Sequence, residues 1–122
     1  MKQKTKTLDL VVAEPWYSLM AAGIKTEEFR RDCDHWRKRL LKYPNLFNPF
    51  ESPIEEGHPL SEYFRKYDFI RIRNGNGADR PKSVFVFQGI RWQADSISRQ
   101  YGDIKLKMPG ALFIISLGER IE

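Results

Sequence analysis

The sequence predicts an α+β domain built around a small, strongly curved sheet. Three observations point there. Two short stretches with helical spacing fall in the first half of the chain, roughly five β-patterned runs dominate the rest, and strong turn signals separate those runs. At 122 residues the chain reads as one domain over 1–122, long enough to bury a core without disulfides or metal.

The elements follow in chain order. Residues 7–12 are rich in β-formers and read as a first strand. Pro15 then suits the first turn of a helix. Trp16, Leu19 and Met20 follow with the i, i+3, i+4 spacing of a core stripe. Gly23 is placed to close that helix in the left-handed conformation. Residues 26–31 alternate as a strand, with Glu28 and Arg30 on one face and Glu27 and Phe29 on the other. Asp34 is the expected cap of a second helix over 35–42, with Trp36 and Leu40 on one face.

Residues 44–59 carry four prolines among Asn, Gly and acidic residues, which predicts an irregular surface excursion. Residues 60–66 read as a helical turn or two. Residues 67–73 alternate, Ile70 and Ile72 opposing Phe69, Arg71 and Arg73. Asn74-Gly75-Asn76-Gly77 is a turn signal. Residues 83–91 carry apolar side chains on both faces, which predicts a central strand. Residues 92–102 read as a polar connection, and 104–107 and 111–117 as two closing strands.

Composition narrows the function classes. Apolar residues make up 41% and charged residues 30%, ordinary for a globular domain. No apolar run nears the ~18 residues of a membrane helix, and the basic start MKQKTKTLDL leads into no apolar signal core. The single Cys33 suits a reducing compartment, so a cytoplasmic protein is expected, with no membrane partner. The net charge of +5 favours a polyanion such as RNA or DNA. An aromatic content of 13% offers rings for base stacking.

Familiar catalytic patterns do not arise. His35 and His58 are the only histidines, and Cys33-x-His35 supplies too few ligands for zinc. No metal and no cofactor are therefore expected. Gly75-Asn76-Gly77 does not extend to GxGxxG, and no GxSxG, HExxH or P-loop occurs.

Lys25, Glu28 and Arg30 stand out instead, gathered where a helix hands over to a strand. Their plain reading is a turn lysine and a surface ion pair. Their functional reading requires convergence on a cavity, where a lysine held by a carboxylate positions a polar ligand or moves a proton. Period two puts Glu28 and Arg30 together. Lys25 is off-parity and joins them only if the chain turns at that residue. A second cluster, RRDCDHWRKRLLK at 30–42, holds six basic and two acidic residues. It is either a solvated helix face with Trp36 in the core, or a phosphate-tracking surface with Trp36 as a stacking platform and Arg39 beside it. Arg71, Arg73 and Asn74 would extend that surface.

These motifs resemble a known family. Gly23-Ile24-Lys25-Thr26-Glu27-Glu28-Phe29-Arg30 is similar to the G-x-K-T-x-E-x-R signature of the ASCH domain (activating signal cointegrator homology). Glu14-Pro15-Trp16-Tyr17 resembles the approach to it. Residues 35–40 resemble the W-x-x-R-L element of short bacterial and phage-type members. Residues 67–75 resemble their Y-D-x-I-x-F-R-N-G strand, and 112–120 their closing strand. The resemblance covers most of the chain outside 44–59. It implies a PUA-like mixed β pseudo-barrel with short helices covering its openings. It also implies a cleft at the helix–strand junction near Lys25, Glu28 and Arg30, and binding of RNA or modified nucleosides. One branch of the family deacetylates N4-acetylcytidine through a lysine, a threonine three residues later and a distant glutamate; another is described as a ribonuclease. Lys25 matches the lysine. Glu28 stands at the threonine position, Thr26 is not its equivalent, and spacing assigns no glutamate.

Three functions are therefore in view. The first is an RNA- or nucleotide-binding module in which Lys25 and Arg30 take phosphate or base edges, Glu28 accepts from a base amino group, and Trp16, Trp36 or Phe69 stacks. Arg39, Arg73 and Asn74 complete that candidate set. The alternative is a small hydrolase of RNA or a modified nucleoside, with Lys25 and Glu28 as its catalytic pair. The third is an interaction protein using Phe47 and Phe50 of the proline-rich excursion.

Overall fold

The computed structural model describes residues 4–45 and 63–122. Most of the proline-rich excursion, with Phe47, Phe50 and His58, and the first part of the expected 60–66 turn lie outside the described residues.

Among the described residues, seven strands and two helices follow the order β1 (Thr7–Val12), α1 (Trp16–Ala21), β2 (Glu27–Arg31), α2 (Asp34–Leu40), β3 (Phe69–Asn74), β4 (Lys82–Gln93), β5 (Ile97–Tyr101), β6 (Ile104–Met108) and β7 (Leu112–Arg120). Five strands form one sheet in the order β1-β3-β4-β7-β2, while β5 and β6 pair separately. Only β1 and β3 run parallel; the other pairs are antiparallel. A parallel pair needs a long crossover, and here that crossover contains α1, β2 and α2.

The main sheet curls into a half-barrel. Strand β4 drives the curl. Its pairing with β7 shifts register between Phe85 and Phe87 and again between Phe87 and Ile90. Such irregularities bend and twist a strand, and Gly89 at the second shift has φ +121°, open to glycine at little cost. Curling brings the edge strands β1 and β2 towards each other. Arginines span the gap: Arg30 Nη2 donates to the Val11 carbonyl at 2.9 Å and Arg39 Nη2 to the Asp9 carbonyl at 3.0 Å. Guanidinium groups thus satisfy edge carbonyls that no strand pairs.

Two cores result. Leu8, Leu10 and Val12 of β1, Ile70 and Ile72 of β3, and Phe113, Ile115 and Leu117 of β7 share the first with Tyr17, Met20 and Leu40 from the helices. Phe29, Leu112, Ile114 and Ile97 form the second, against Leu106 and Met108 of the β5–β6 hairpin. Strand β7 thus alternates between two cores. It is the strand buried on both faces, whereas β4, third of five in the sheet, is only half-buried at Val84 and Val86.

Four local expectations change. The buried face of α1 is Tyr17 and Met20, not the stripe Trp16-Leu19-Met20, because the six-residue helix turns Trp16 sideways towards the hairpin. The N-cap of α2 is Cys33 and Asp34 lies in its first turn, where a carboxylate still favours the positive helix end. Helix α2 stops at Leu40, short of the expected Lys42, because Leu41 turns extended and bridges to Phe64. That bridge buries both side chains. Residues 97–101 are a strand, not a polar connection. Only Ile97 is fully buried there, and Arg99 and Tyr101 fill the other inward positions with long amphipathic side chains.

Candidate functional site

The site begins with the end of α1. Gly23 adopts φ +77°, and the amides of Ile24 and Lys25 both donate to the Leu19 carbonyl, at 2.9 and 3.0 Å. This hairpin-like turn points Lys25 back under the sheet. The off-parity residue therefore joins its partners. Lys25 Nζ donates to Glu28 Oε1 at 3.0 Å and to the Glu27 carbonyl. Arg30, on the same face of β2 as Glu28, donates through Nη2 to Glu28 Oε2 at 2.6 Å.

Burial separates the three roles. The Lys25 side chain is 0% exposed and that of Glu28 11%, while Arg30 is 18% exposed. Lys25 lies behind Glu28 and its ammonium is 5.1 Å from the Phe29 ring centroid. A carboxylate offers about four acceptor sites. Lys25 and the Phe29 amide use Oε1, and Arg30 uses one side of Oε2. No donor among the described residues takes the second acceptor site of Oε2. Two cations on one carboxylate leave the cluster net positive.

In front of Glu28 lies a cleft of about 350 Å³. Its walls are residues 11–13 at the end of β1, Trp16 at the start of α1, 28–30 of β2 and 106–108 of β6. The cleft is thus the seam between the two edge strands, with the β5–β6 hairpin as one wall. Tyr101 of that hairpin meets Trp16 edge-on at 6.4 Å. Burial, then the nearby Glu27 carboxylate, pushes the Tyr101 phenol above its ordinary value.

The hairpin is tied down by charge as well as by its apolar side. Glu27, on the opposite face of β2, accepts from Arg91 at 2.7 Å and from Arg99 at 3.1 Å. Burial pushes the Glu27 carboxyl up, but the hydrogen bonds from Arg99 and Arg91 outweigh it and hold it below the ordinary carboxylate range. On the other flank, Ser18 holds the exposed Glu14 carboxyl low through its hydroxyl and its amide, which fastens the first turn of α1 beside Trp16.

The remaining candidates separate. Trp36 packs against the first core, and the guanidinium carbons of Arg30 and Arg39 lie 4.7 and 5.1 Å from its ring centroid. Its faces serve cations, and it is not among the cleft-lining residues. The buried Nε of Arg30 has no acceptor among the described residues; the ring supplies its electrostatic complement. Arg37 of the same helix is committed to Asp32, at 2.5 and 3.0 Å. Within the 30–42 cluster Arg30, Arg37 and Arg39 are thus half-buried and engaged inside the fold, while Arg31, Lys38 and Lys42 are exposed.

Arg73 and Asn74 do not line the cleft; they lie at the β3–β4 turn, paired with Val11 and Val12 of its β1 wall. Arg73 Nε donates to the Gly75 carbonyl at 3.2 Å, and the Asn74 carbonyl accepts from Arg80 at 2.6 Å. Residues 11–13, Phe29 and 106–108 line the cleft and were missed by sequence reasoning, as was Tyr101, which packs on Trp16 from the hairpin. Nothing local marks those of the hairpin, because it reaches the cleft only through the tertiary fold. Among the described residues no helix is long and apolar enough to cross a membrane.

No protein-family model, curated protein or solved structure matches this chain.

Proposed function

We propose that this chain is an RNA- or nucleotide-binding domain of the ASCH type, a PUA-like pseudo-barrel that takes a base in the seam cleft. The observation that carries the reading is the acceptor site of Glu28 that no donor among the described residues takes, held between Lys25 and Arg30 beside the Trp16 ring. A base amino group donates to that site, the aromatic wall stacks on the ring face, and Arg30 and Lys107 favour the attached phosphate. The volume of about 350 Å³ falls at the lower end of small-ligand pockets. Lys25 positions Glu28 and does not meet the ligand.

The test is titration with the four ribonucleosides and their monophosphates, followed by NMR and calorimetry. Base stacking is worth about 1–3 kcal/mol, so Trp16→Ala is expected to weaken binding by roughly 5- to 150-fold. Absence of any shift at Trp16 or Glu28 with millimolar ligand overturns the reading.

The Lys25–Glu28 contact at 3.0 Å favours a second reading, hydrolysis of RNA or of an acylated nucleoside. Glu28 would then take a proton from water at the cleft floor, oriented by Lys25. Turnover of N4-acetylcytidine or RNA that persists unchanged in Lys25→Ala removes Lys25 from such a mechanism.

A further inference from the structure

A second concavity adjoins the cleft. It has a volume of about 230 Å³ and is lined by Asp9, Leu10 and Val11 of β1, Arg71 and Arg73 of β3, and Lys82 of β4. Val11 lines both hollows and is 38% exposed, so it forms the low rim between them. Strand register explains the assembly. Val11 pairs with Arg73, and Arg73 with Lys82, so one row crosses three strands. In the neighbouring row Asp9 pairs with Arg71, and their side chains form an ion pair at 2.6 Å.

Asp9 therefore cancels Arg71 and leaves two cations over. Arg73 and Lys82 donate only to backbone carbonyls, of Gly75 and Ala78. No carboxylate pairs with either among the described residues. Like charges held side by side on a sheet repel, and a polyanion across them removes that cost. A free nucleoside in the cleft would not reach this row. A chain of nucleotides would, because the rim is a single valine side chain wide.

We infer that the outer face of β1, β3 and β4 is a phosphate-binding shelf continuous with the cleft, so that the ligand is single-stranded nucleic acid. One base enters the cleft and a neighbouring backbone phosphate lies on Arg73 and Lys82. A single strand is favoured, since its bases enter the cleft without the cost of extrusion from a duplex stack. This inference rests on the nucleic-acid reading of the cleft.

The experiment measures binding of a mixed-sequence single-stranded octaribonucleotide, the four ribonucleosides and inorganic phosphate, from 50 to 200 mM salt. Proteins compared are the wild type, Arg73→Ala/Lys82→Ala and Arg73→Lys. Lys82 is exposed and Arg73 half-buried, and thermal melting checks each fold. The octamer is expected to bind more tightly than any nucleoside. The one phosphate neutralised on the shelf contributes about 0.7 to the logarithmic salt slope of a single strand, or roughly 2.6-fold in affinity across that range. The double variant is expected to lose that dependence while keeping nucleoside affinity, and Arg73→Lys to retain it. A wild-type salt slope in the double variant, with nucleosides still bound, overturns the shelf alone. Phosphate binding at Arg73 without any advantage for the octamer marks a free-anion site and also overturns it. If neither nucleoside nor octamer binds at low salt, the cleft reading falls and the shelf with it.

Discussion

Replacing Lys25 by methionine isolates what the buried cluster contributes. The substitution keeps most of the stem and removes the ammonium, which lies 5.1 Å from the Phe29 ring centroid. The side chain is 0% exposed and meets a carboxylate that is 11% exposed, so water cannot replace the lost contact. Breaking a buried pair by removing one partner costs about 3–5 kcal/mol. Glu28 retains Arg30 at 2.6 Å, so the charge left behind is partly compensated, and about 2–3 kcal/mol is expected for Lys25→Met. Glu28→Gln should cost more, because the amide oxygen can still accept from Lys25 but the enclosed ammonium and Arg30 lose their shared counter-charge. Lys25→Met/Glu28→Gln should cost less than the sum of the single changes, by about 0.5–3 kcal/mol of coupling. Equilibrium urea unfolding followed by tryptophan fluorescence reads these differences, which are a large fraction of a net stability of about 5–15 kcal/mol. A loss below about 1 kcal/mol for Lys25→Met would mean a pair solvated like one on the surface. That result, or strict additivity of the double variant, would refute the buried positioning role.

Two further outcomes probe the supports of the cleft. Tyr17 and Ser83 share a buried hydrogen bond of 2.9 Å, so Tyr17→Phe leaves the serine hydroxyl unpaired at a cost of about 1–3 kcal/mol; adding Ser83→Ala should recover much of it in the same unfolding measurement. Glu27 has a folded-state pKa below its ordinary value, so its contribution to stability is present above the unfolded pKa and fades as pH falls through the folded one. The stability advantage of wild type over Glu27→Gln is therefore expected to be full near about pH 6 and to shrink below about pH 4.5, with faster amide exchange in β5 and β6. An advantage that stays constant with pH would detach Glu27 from the Arg91 and Arg99 contacts.

Much of the architecture was legible in the chain because it is local. The alternation of 7–12 and 67–73, the glycine at 23 and the Asn-Gly turn at 74–77 each act over a few residues; β1 and Gly23 are seen where expected, while β3 starts two residues later, at Phe69, and runs through Asn74 before the turn. Strand β5 was not legible. Its inward positions are Ile97, Arg99 and Tyr101, and a pattern that counts arginine as polar cannot know that the Arg99 guanidinium lies over Phe29 at 5.4 Å. The end of α2 was misplaced for a similar reason. Leu41 reads equally well as helix, and only its bridge to Phe64 from a distant segment makes it extended.

The opening question about the candidate site was whether Lys25, Glu28 and Arg30 converge. Residue types and strand parity settled the pairing of Glu28 with Arg30. They could not place Lys25, since side-chain direction at a helix exit depends on the turn taken there. Nor could they show that Trp36 faces two guanidiniums or that Arg73 lies across β1 from the cleft, because those neighbours are brought together by the curl of the sheet. Sequence alone thus determined the chemistry at the helix–strand junction: a glycine-closed helix followed by Lys25 and by a strand with Glu28 and Arg30 on one face. The tertiary structure decided which of these groups meets solvent. Burial is set by the non-local approach of β1, β2 and the β5–β6 hairpin, and it turns Lys25 from a surface cation into an internal support for Glu28.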